Sequence, residues 1–421
     1  MANSKLSGHL VHHGKSVLLI GIISAVGIIA AFGFQIITAR FLGPADFGIL
    51  AAFFACINIA ATGSSSLQNS VAVQSARTIS SGRTSKDKSL FKLDGFMVEA
   101  LTLGGAGALI VLASSVWLDK GLATNPLVPW IAAISIILSF IFARALGTIQ
   151  GSGASLSTVW WSTFSLLIRL ALVFVCFLLG LGLSAVLIAV LIGNIASAIG
   201  ASLRSSNLNV ELGRKAFQKD GLIVLFLSVV IALATNIDVI LVRALTASDF
   251  AGTYAAAAVL VKAAFMVPAT LSLYLLPRFV KQENNSNLTR LGTQATLGLT
   301  FATSLGMLIV FGLWGSTIGE WLYGNQYNFS NGLLPMLTLA FMPWALTQAL
   351  LIRITALSSG LGLIILSAIT GLLVVLIFLT LPDVLLMLTS LGVSGVLALL
   401  SFWIIDIDAH KKLQRAQQVQ E

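Results

Sequence analysis

Apolar runs of about twenty residues alternate with short polar segments along almost the whole chain. A helix needs about that many residues to cross about 30 Å of hydrocarbon. The pattern predicts twelve spans, at 17–39, 48–70, 96–117, 127–149, 157–180, 183–203, 221–243, 251–273, 292–314, 332–353, 361–381 and 384–405. Tight turns are expected near 181–183 and 382–383, where "GLGLS" and "LPD" interrupt the apolar sequence.

Composition agrees with this pattern. Of 421 residues, 57% are hydrophobic and only 9% charged, whereas a soluble domain is about a quarter charged. This is the composition of an integral membrane protein. The first run is longer than the apolar core of a signal peptide, and no small-x-small site follows it before Arg40. It is therefore expected to stay as the first span. The N-terminal "GHLVHHGKS" resembles a phosphate loop only superficially. Its glycines are one residue too far apart, His13 stands at the second glycine position and no strand precedes it. Cys56 and Cys176 sit inside apolar runs and read as small apolar residues.

The net charge is +9, spread over many short segments. With the N-terminus in the cytosol, eighteen of the 24 lysines and arginines fall in inside segments, three outside and three within spans. Such a bias is the signature of topology-setting charge rather than of a nucleic-acid-binding face. It also checks the count, because one missed span would invert everything downstream. Both termini are expected in the cytosol.

The punctuation repeats itself. "RFLGPADFG" follows the first span and "RALTASDFAG" the seventh. At a constant offset of 203, Arg40 matches Arg243, Leu42 Leu245, Asp46 Asp249 and Phe47 Phe250. Six spans separate the echoes, so both face the same side. The expected architecture is all-α and polytopic: twelve transmembrane helices as two parallel six-helix repeats around a central cavity. The lobes would be 1–203 and 221–421, joined by a cytosolic linker over 204–220. In each echo the acid stands where it could cap the following helix, Asp46 for the second span and Asp249 for the eighth. The Arg–Asp pairs Arg40/Asp46 and Arg243/Asp249 read either as clasps holding each hairpin or as parts of an outer gate.

"ARFLGPADFGILAAF" at 39–53 resembles the signature of bacterial polysaccharide-export flippases, the O-antigen and teichuronic acid type transporters of the multidrug/oligosaccharidyl-lipid/polysaccharide exporter superfamily. "NIDVILVRALTASDFAGTYAAA" at 236–257 is similar to the matching stretch of their second half, and "LYGNQY" at 322–327 to an outer loop. Thr246-Ala247 depart from the pattern by replacing Gly-Pro. The resemblance implies two lobes that rock around a cavity. It also implies a cargo, a polyprenyl-diphosphate-linked oligosaccharide moved to the outer leaflet of a bacterial inner membrane. Membrane lipids, a glycan polymerase and glycosyltransferases are the partners it implies.

Charge inside a span is costly and marks function by default. Arg169 lies mid-span in "STFSLLIRLALVF", Lys262 in "AAAAVLVKAAFMVPATL", and Arg144 toward the inner end of the fourth span. With Arg353 at the edge of the tenth span, these are the expected cargo-binding cations, because a diphosphate is anionic and Arg matches its oxygens. Asp238 is the carboxylate placed well inside a span. It reads either as the group coupling transport to H⁺ or Na⁺ or as a static partner for a cation. Polar residues from Asn58 to Ser70 indicate that this face lines a cavity or packs on another helix, and Gly147 and Gly151 form a GxxxG packing motif.

Catalytic signatures are missing from the sequence. All four histidines lie in the terminal tails, and there is no HExxH, GxSxG or phosphate-loop motif. The chain reads as a transporter needing no cofactor. Besides the flippase, two alternatives stay open at this level: a cation-coupled small-molecule extruder on the same fold, and a polytopic glycan-processing enzyme.

Overall fold

The computed structural model describes residues 2–81, 94–117, 126–208, 210, 212, 219–265, 286–329, 332–357 and 359–420. Within these the chain is helical, with no sheet. The helices are α1 (Ala2–Ser80), α2 (Gly95–Trp117), α3 (Leu127–Gly151), α4 (Ser155–Leu178), α5 (Leu183–Ser206), α6 (Lys219–Leu245), α7 (Ser248–Val261), α8 (Ser286–Tyr323), α9 (Leu333–Ala356), α10 (Gly360–Thr380) and α11 (Val384–Gln420). Ten of the described helices are long and apolar enough to cross a membrane, and α7 is a shorter apolar helix. The protein is thus a multi-pass membrane protein. Large apolar side chains such as Leu109, Ile110 and Ile364 are exposed, as expected of surfaces solvated by lipid.

The first two predicted spans form one bent helix. Gly43 breaks α1 with φ 73°, a left-handed value that glycine adopts without a Cβ clash, and Pro44 restarts the helix with its fixed φ. The predicted turn near 181–183 is made by Gly180, also left-handed, with Leu181 N–H donating to the Cys176 carbonyl. The span predicted at 251–273 is α-helical only to Val261. It tightens into a 3₁₀ turn at Lys262–Phe265, and 266–273 lie outside the described residues, as do 209, 211 and 213–218 of the linker proposed at 204–220. The segment predicted at 292–314 belongs to the longer α8, which is broken at Trp314.

By packing, the chain forms two compact units. One gathers chiefly Met1–Leu42, Ala60–Leu118 and Ala123–Gln218; the other chiefly Gly43–Ile59 and Lys219–Glu421. In the first, α3 packs on α2 and α5, and α4 packs on α5. In the second, α9 packs on α8 and α11, while α10 packs on α6 and α11.

The polar face from Asn58 to Ser70 is largely accounted for in the first unit. Ser64, Ser65 and Ser70 hydroxyls donate to carbonyls of their own helix. Gln68 Nε2 donates to Gln150 Oε1 at 2.8 Å. The neighbouring backbones touch through the GxxxG. A Cβ on Gly147 would lie 2.5 Å from the Gln68 carbonyl oxygen and 2.8 Å from Val71 Cβ. On Gly151 it would strike the Ala72 carbonyl. Close backbone approach is the stabilising device here, because lipid offers helices no hydrophobic drive to associate. Gly147→Leu and Gly151→Leu are therefore expected to cost about 1–3 kcal/mol or more through overpacking. Thermal unfolding of purified protein checks this: both variants should melt several degrees lower. Gly105→Leu, where nothing lies within 4 Å, should melt within a degree or two of the parent.

Candidate functional site

Four in-span or span-edge cations were the sequence candidates, and each finds a different environment. Arg144 on α3 is buried and reaches Asp94, just before α2. Its Nη2 donates to Asp94 Oδ2, and its Nε to Asp94 Oδ1 at 3.2 Å. Asp94 also accepts from Met97 N–H at 2.8 Å, capping α2. This carboxylate therefore holds a helix end and neutralises an arginine together.

In the second unit, Lys262 and Asp238 come together. Lys262 Nζ donates to Asp238 Oδ1 at 2.9 Å and Oδ2 at 3.2 Å. Tyr254 donates its hydroxyl to Oδ2 at 2.8 Å. Asp238 is fully buried, so these three contacts replace the water it gave up. Lys262 Nζ also lies 4.8 Å from the centre of the Phe341 ring, over its face. The sequence reading assigned Lys262 to the cargo and Asp238 either to coupling or to a static partnership; the structure joins them in one ion pair. Arg353, 2% exposed, has Asp406 as its counter-ion, with Nε 3.4 Å from Oδ1. That pair is close but too poorly aligned to be a hydrogen bond.

Arg169 is different. It projects from α4 toward α5, where its Nη2 donates to Asn194 Oδ1. Asn194 Nδ2 in turn donates to Ser135 Oγ on α3 at 3.0 Å. The Arg169 Nε is enclosed without a hydrogen-bond partner. Gly193 makes room for the stem, since a Cβ there would lie 2.8 Å from Arg169 Cγ. Among the described residues no carboxylate forms an ion pair with Arg169. Its guanidinium is held by a neutral amide.

The echoes meet in the second unit. A Cβ on Gly48 would lie 3.1 Å from the Gly252 nitrogen, and one on Gly252 would collide with the Pro44 carbonyl. Phe47 is fully buried against Tyr323 and Tyr327, with ring centroids 6.3 and 6.2 Å away. Phe329 stacks on both tyrosines. The stretch "LYGNQY" thus belongs to the aromatic wall that grips the first echo. Burial, with Tyr323 beside it, pushes the Tyr327 phenol above its ordinary value of 10. Arg243 is buried and within electrostatic reach of both Asp46 and Asp249. Asp249 is exposed in the first turn of α7, and Arg40 is exposed near the bend of α1. The expected cap at Asp249 is not made. Ala247 takes the cap position with no side-chain hydrogen bond, and Asp249 one turn-position inside still suits the helix dipole. Likewise Asp46 follows Pro44 into the first turn after the Gly43 break rather than preceding it.

Asp94, Tyr254, Asn194, Ser135 and Asp406 were not read as site residues from the sequence. Tyr254 had a signal: it and Asp238 stand about equally far from the turn at 246–247, which sets them level on adjacent antiparallel helices. Asn194 had a weaker one, as an amide alone in "AVLIGNIASAIG".

A family model described as polysaccharide biosynthesis protein matches residues 13–283. No curated protein sequence matches the chain. Among solved structures, a lipid II flippase, MurJ, in an inward closed conformation aligns with a TM-score of 0.65 at 14% identity, covering 96% of this chain and 91% of that one. An outward-facing multidrug resistance MATE family transporter of the MOP superfamily aligns at 0.63 and 14%, over 95% and 96%. A MOP superfamily transporter from Pyrococcus furiosus aligns at 0.58 and 14%, over 94% and 96%. At these identities the likeness is one of fold.

The Asp238 pair has a measurable consequence. Lys262→Met leaves a fully buried carboxylate with only Tyr254, and breaking a buried pair from one side costs about 3–5 kcal/mol. The double variant Lys262→Met/Asp238→Asn removes both charges and should recover a large part of that loss. Unfolding temperatures of the three proteins decide the matter; equal destabilisation in the single and double variants would dismiss the pair as a stabilising unit.

Proposed function

The chain belongs to the polysaccharide biosynthesis protein family, and from that membership we propose that it is a flippase for a polyprenyl-diphosphate-linked oligosaccharide. It carries the cargo from the cytosolic to the outer leaflet of a bacterial inner membrane by alternating access. The observation that carries this reading is the sorting of the in-span cations. Arg144, Lys262 and Arg353 each have a carboxylate, whereas among the described residues the side-chain partner of Arg169 is Asn194. A part-buried guanidinium whose partner is neutral suits an anion, and its fork of N–H donors fits diphosphate oxygens.

In this reading Arg169 takes the diphosphate, while Arg144, Lys262 and Arg353 are held by their own acids as scaffold. The polyprenyl tail stays in the bilayer. The close contact of Gly48 with Gly252 and the reach of Arg243 to Asp46 and Asp249 make the two echoes an outer gate, which must part for release. Asp238 serves as the counter-ion of Lys262; coupling to H⁺ or Na⁺ through it would need the ammonium to withdraw first. A glycan polymerase and glycosyltransferases would work on either side of the step.

The second reading, a cation-coupled multidrug extruder, draws on the equally good fold match to the MATE family transporter. An organic cation would call for a carboxylate left free in the spans. Asp238 is instead tied by two donors and fully buried, which favours the flippase.

Export assays separate the two. Arg169→Gln should drop surface glycan to background while lipid-linked glycan accumulates on the cytosolic leaflet, with protein levels in the membrane unchanged. Expression of the parent chain in a pump-deficient strain should leave resistance to cationic dyes within about twofold of the empty vector. Full export by Arg169→Gln would remove the anion site, and strong dye resistance would install the extruder in its place.

A further inference from the structure

We infer that Asn194 sets the ligand selectivity of the Arg169 site, by being an amide where an isosteric carboxylate would cancel the charge. This deepens the reading of Arg169 as the diphosphate contact and rests on it.

Three features carry the inference. Asn194 Oδ1 accepts from Arg169 Nη2 in the same manner as Asp94 Oδ2 accepts from Arg144 Nη2. The geometry at residue 194 is that of an ion pair with one atom exchanged, NH₂ for O⁻. Second, the orientation of the amide is fixed rather than free. The guanidinium can only donate, so Oδ1 is the atom turned to it, and Nδ2 donates to the buried Ser135 Oγ at 3.0 Å. A carboxylate could keep both contacts, because Ser135 can donate as well as accept. The site thus accommodates Asp sterically and differs from it only in charge. Third, Gly193 beside it admits the Arg169 stem to the α5 surface, which brings the guanidinium to residue 194.

Chemically, the neutral partner holds one donor of the guanidinium, Nη2, and leaves the positive charge to be balanced by a ligand. The ligand class is a phosphate or diphosphate ester buried with its apolar chain. Asn194 is a positioning residue: it acts through Arg169 and does not itself neutralise the anion.

The test uses the full chain in zwitterionic lipid nanodiscs, with farnesyl diphosphate as the charged probe and farnesol as its neutral counterpart. Asn194→Asp should weaken farnesyl diphosphate binding at least tenfold at pH 7.5 and leave farnesol binding unchanged. Its affinity should recover as the pH falls and the new carboxylate is protonated, while the parent protein shows no such recovery. Asn194→Ala removes the contact without adding charge and should bind within about threefold of the parent.

Parent-like affinity for farnesyl diphosphate in Asn194→Asp overturns the inference. So does an equal loss in Asn194→Ala, which would make residue 194 a packing position. Failure of the underlying reading looks different: there Arg169→Gln itself binds farnesyl diphosphate as tightly as the parent. If Asn194→Asp does not fold, Ser135→Asp places a carboxylate one link further along the same chain of contacts and should give a weaker loss of the same sign, with parent-like affinity again overturning the inference.

Discussion

A charge in hydrocarbon has no water to solvate it, and the rest of the structure is arranged around that deficit. Isolated charges at mid-span cost several kcal/mol, so each must find a partner within the protein or a purpose that repays it. Arg144 draws in Asp94, Lys262 draws in Asp238, and Arg353 draws in Asp406. Each pair joins different helical elements and so helps to fix how they are placed. The three pairs also lie each within one packing unit. Arg169 stands outside this scheme, since its contact with Asn194 provides hydrogen-bonding geometry without neutralisation.

Helix packing obeys a second constraint, the lack of any hydrophobic drive between apolar surfaces in lipid. The chain answers it with glycine at points of closest approach. Gly147 and Gly151 let α3 lie on the carbonyls of residues 68 and 72, and Gly252 admits the Pro44 carbonyl. The second of these joins the two echoes. Gly43–Ile59 follows directly on the first predicted span, yet it packs with Lys219–Glu421. The left-handed break at Gly43 is what permits that change of allegiance, because a straight α1 would carry Phe47 along its own axis. The aromatic wall of Tyr323, Tyr327 and Phe329 then encloses Phe47. Local turn chemistry and distant packing thus converge on one short motif.

The ten long apolar helices were legible because the bilayer imposes a length on spans that composition alone betrays, whereas the count of twelve is not confirmed. The bend at "LGP", the turn at Gly180 and the GxxxG contact were legible for a related reason: glycine and proline act on the backbone whatever surrounds them. Less could be read where tertiary neighbours decide. Nothing local marks Lys262 as the start of a 3₁₀ turn, and its side chain was read as cargo-facing because the position of Asp238 in the folded chain was unknown. Asp94 escaped notice because it sits at a polar boundary, where an acid looks solvated; only the fold brings Arg144 over it. Asp249 was read as a cap from its place before an apolar run, but the helix begins one residue earlier, at Ser248.

The same reasoning explains why sign, rather than fold, carries the functional distinction. A helical scaffold similar to those of a lipid flippase and a multidrug transporter says little about cargo. What differs is the charge left over once every internal pair is counted. Of the four cations read from the sequence, Arg169 has a neutral partner, and the carboxylate Asp238 is enclosed by a lysine and a tyrosine.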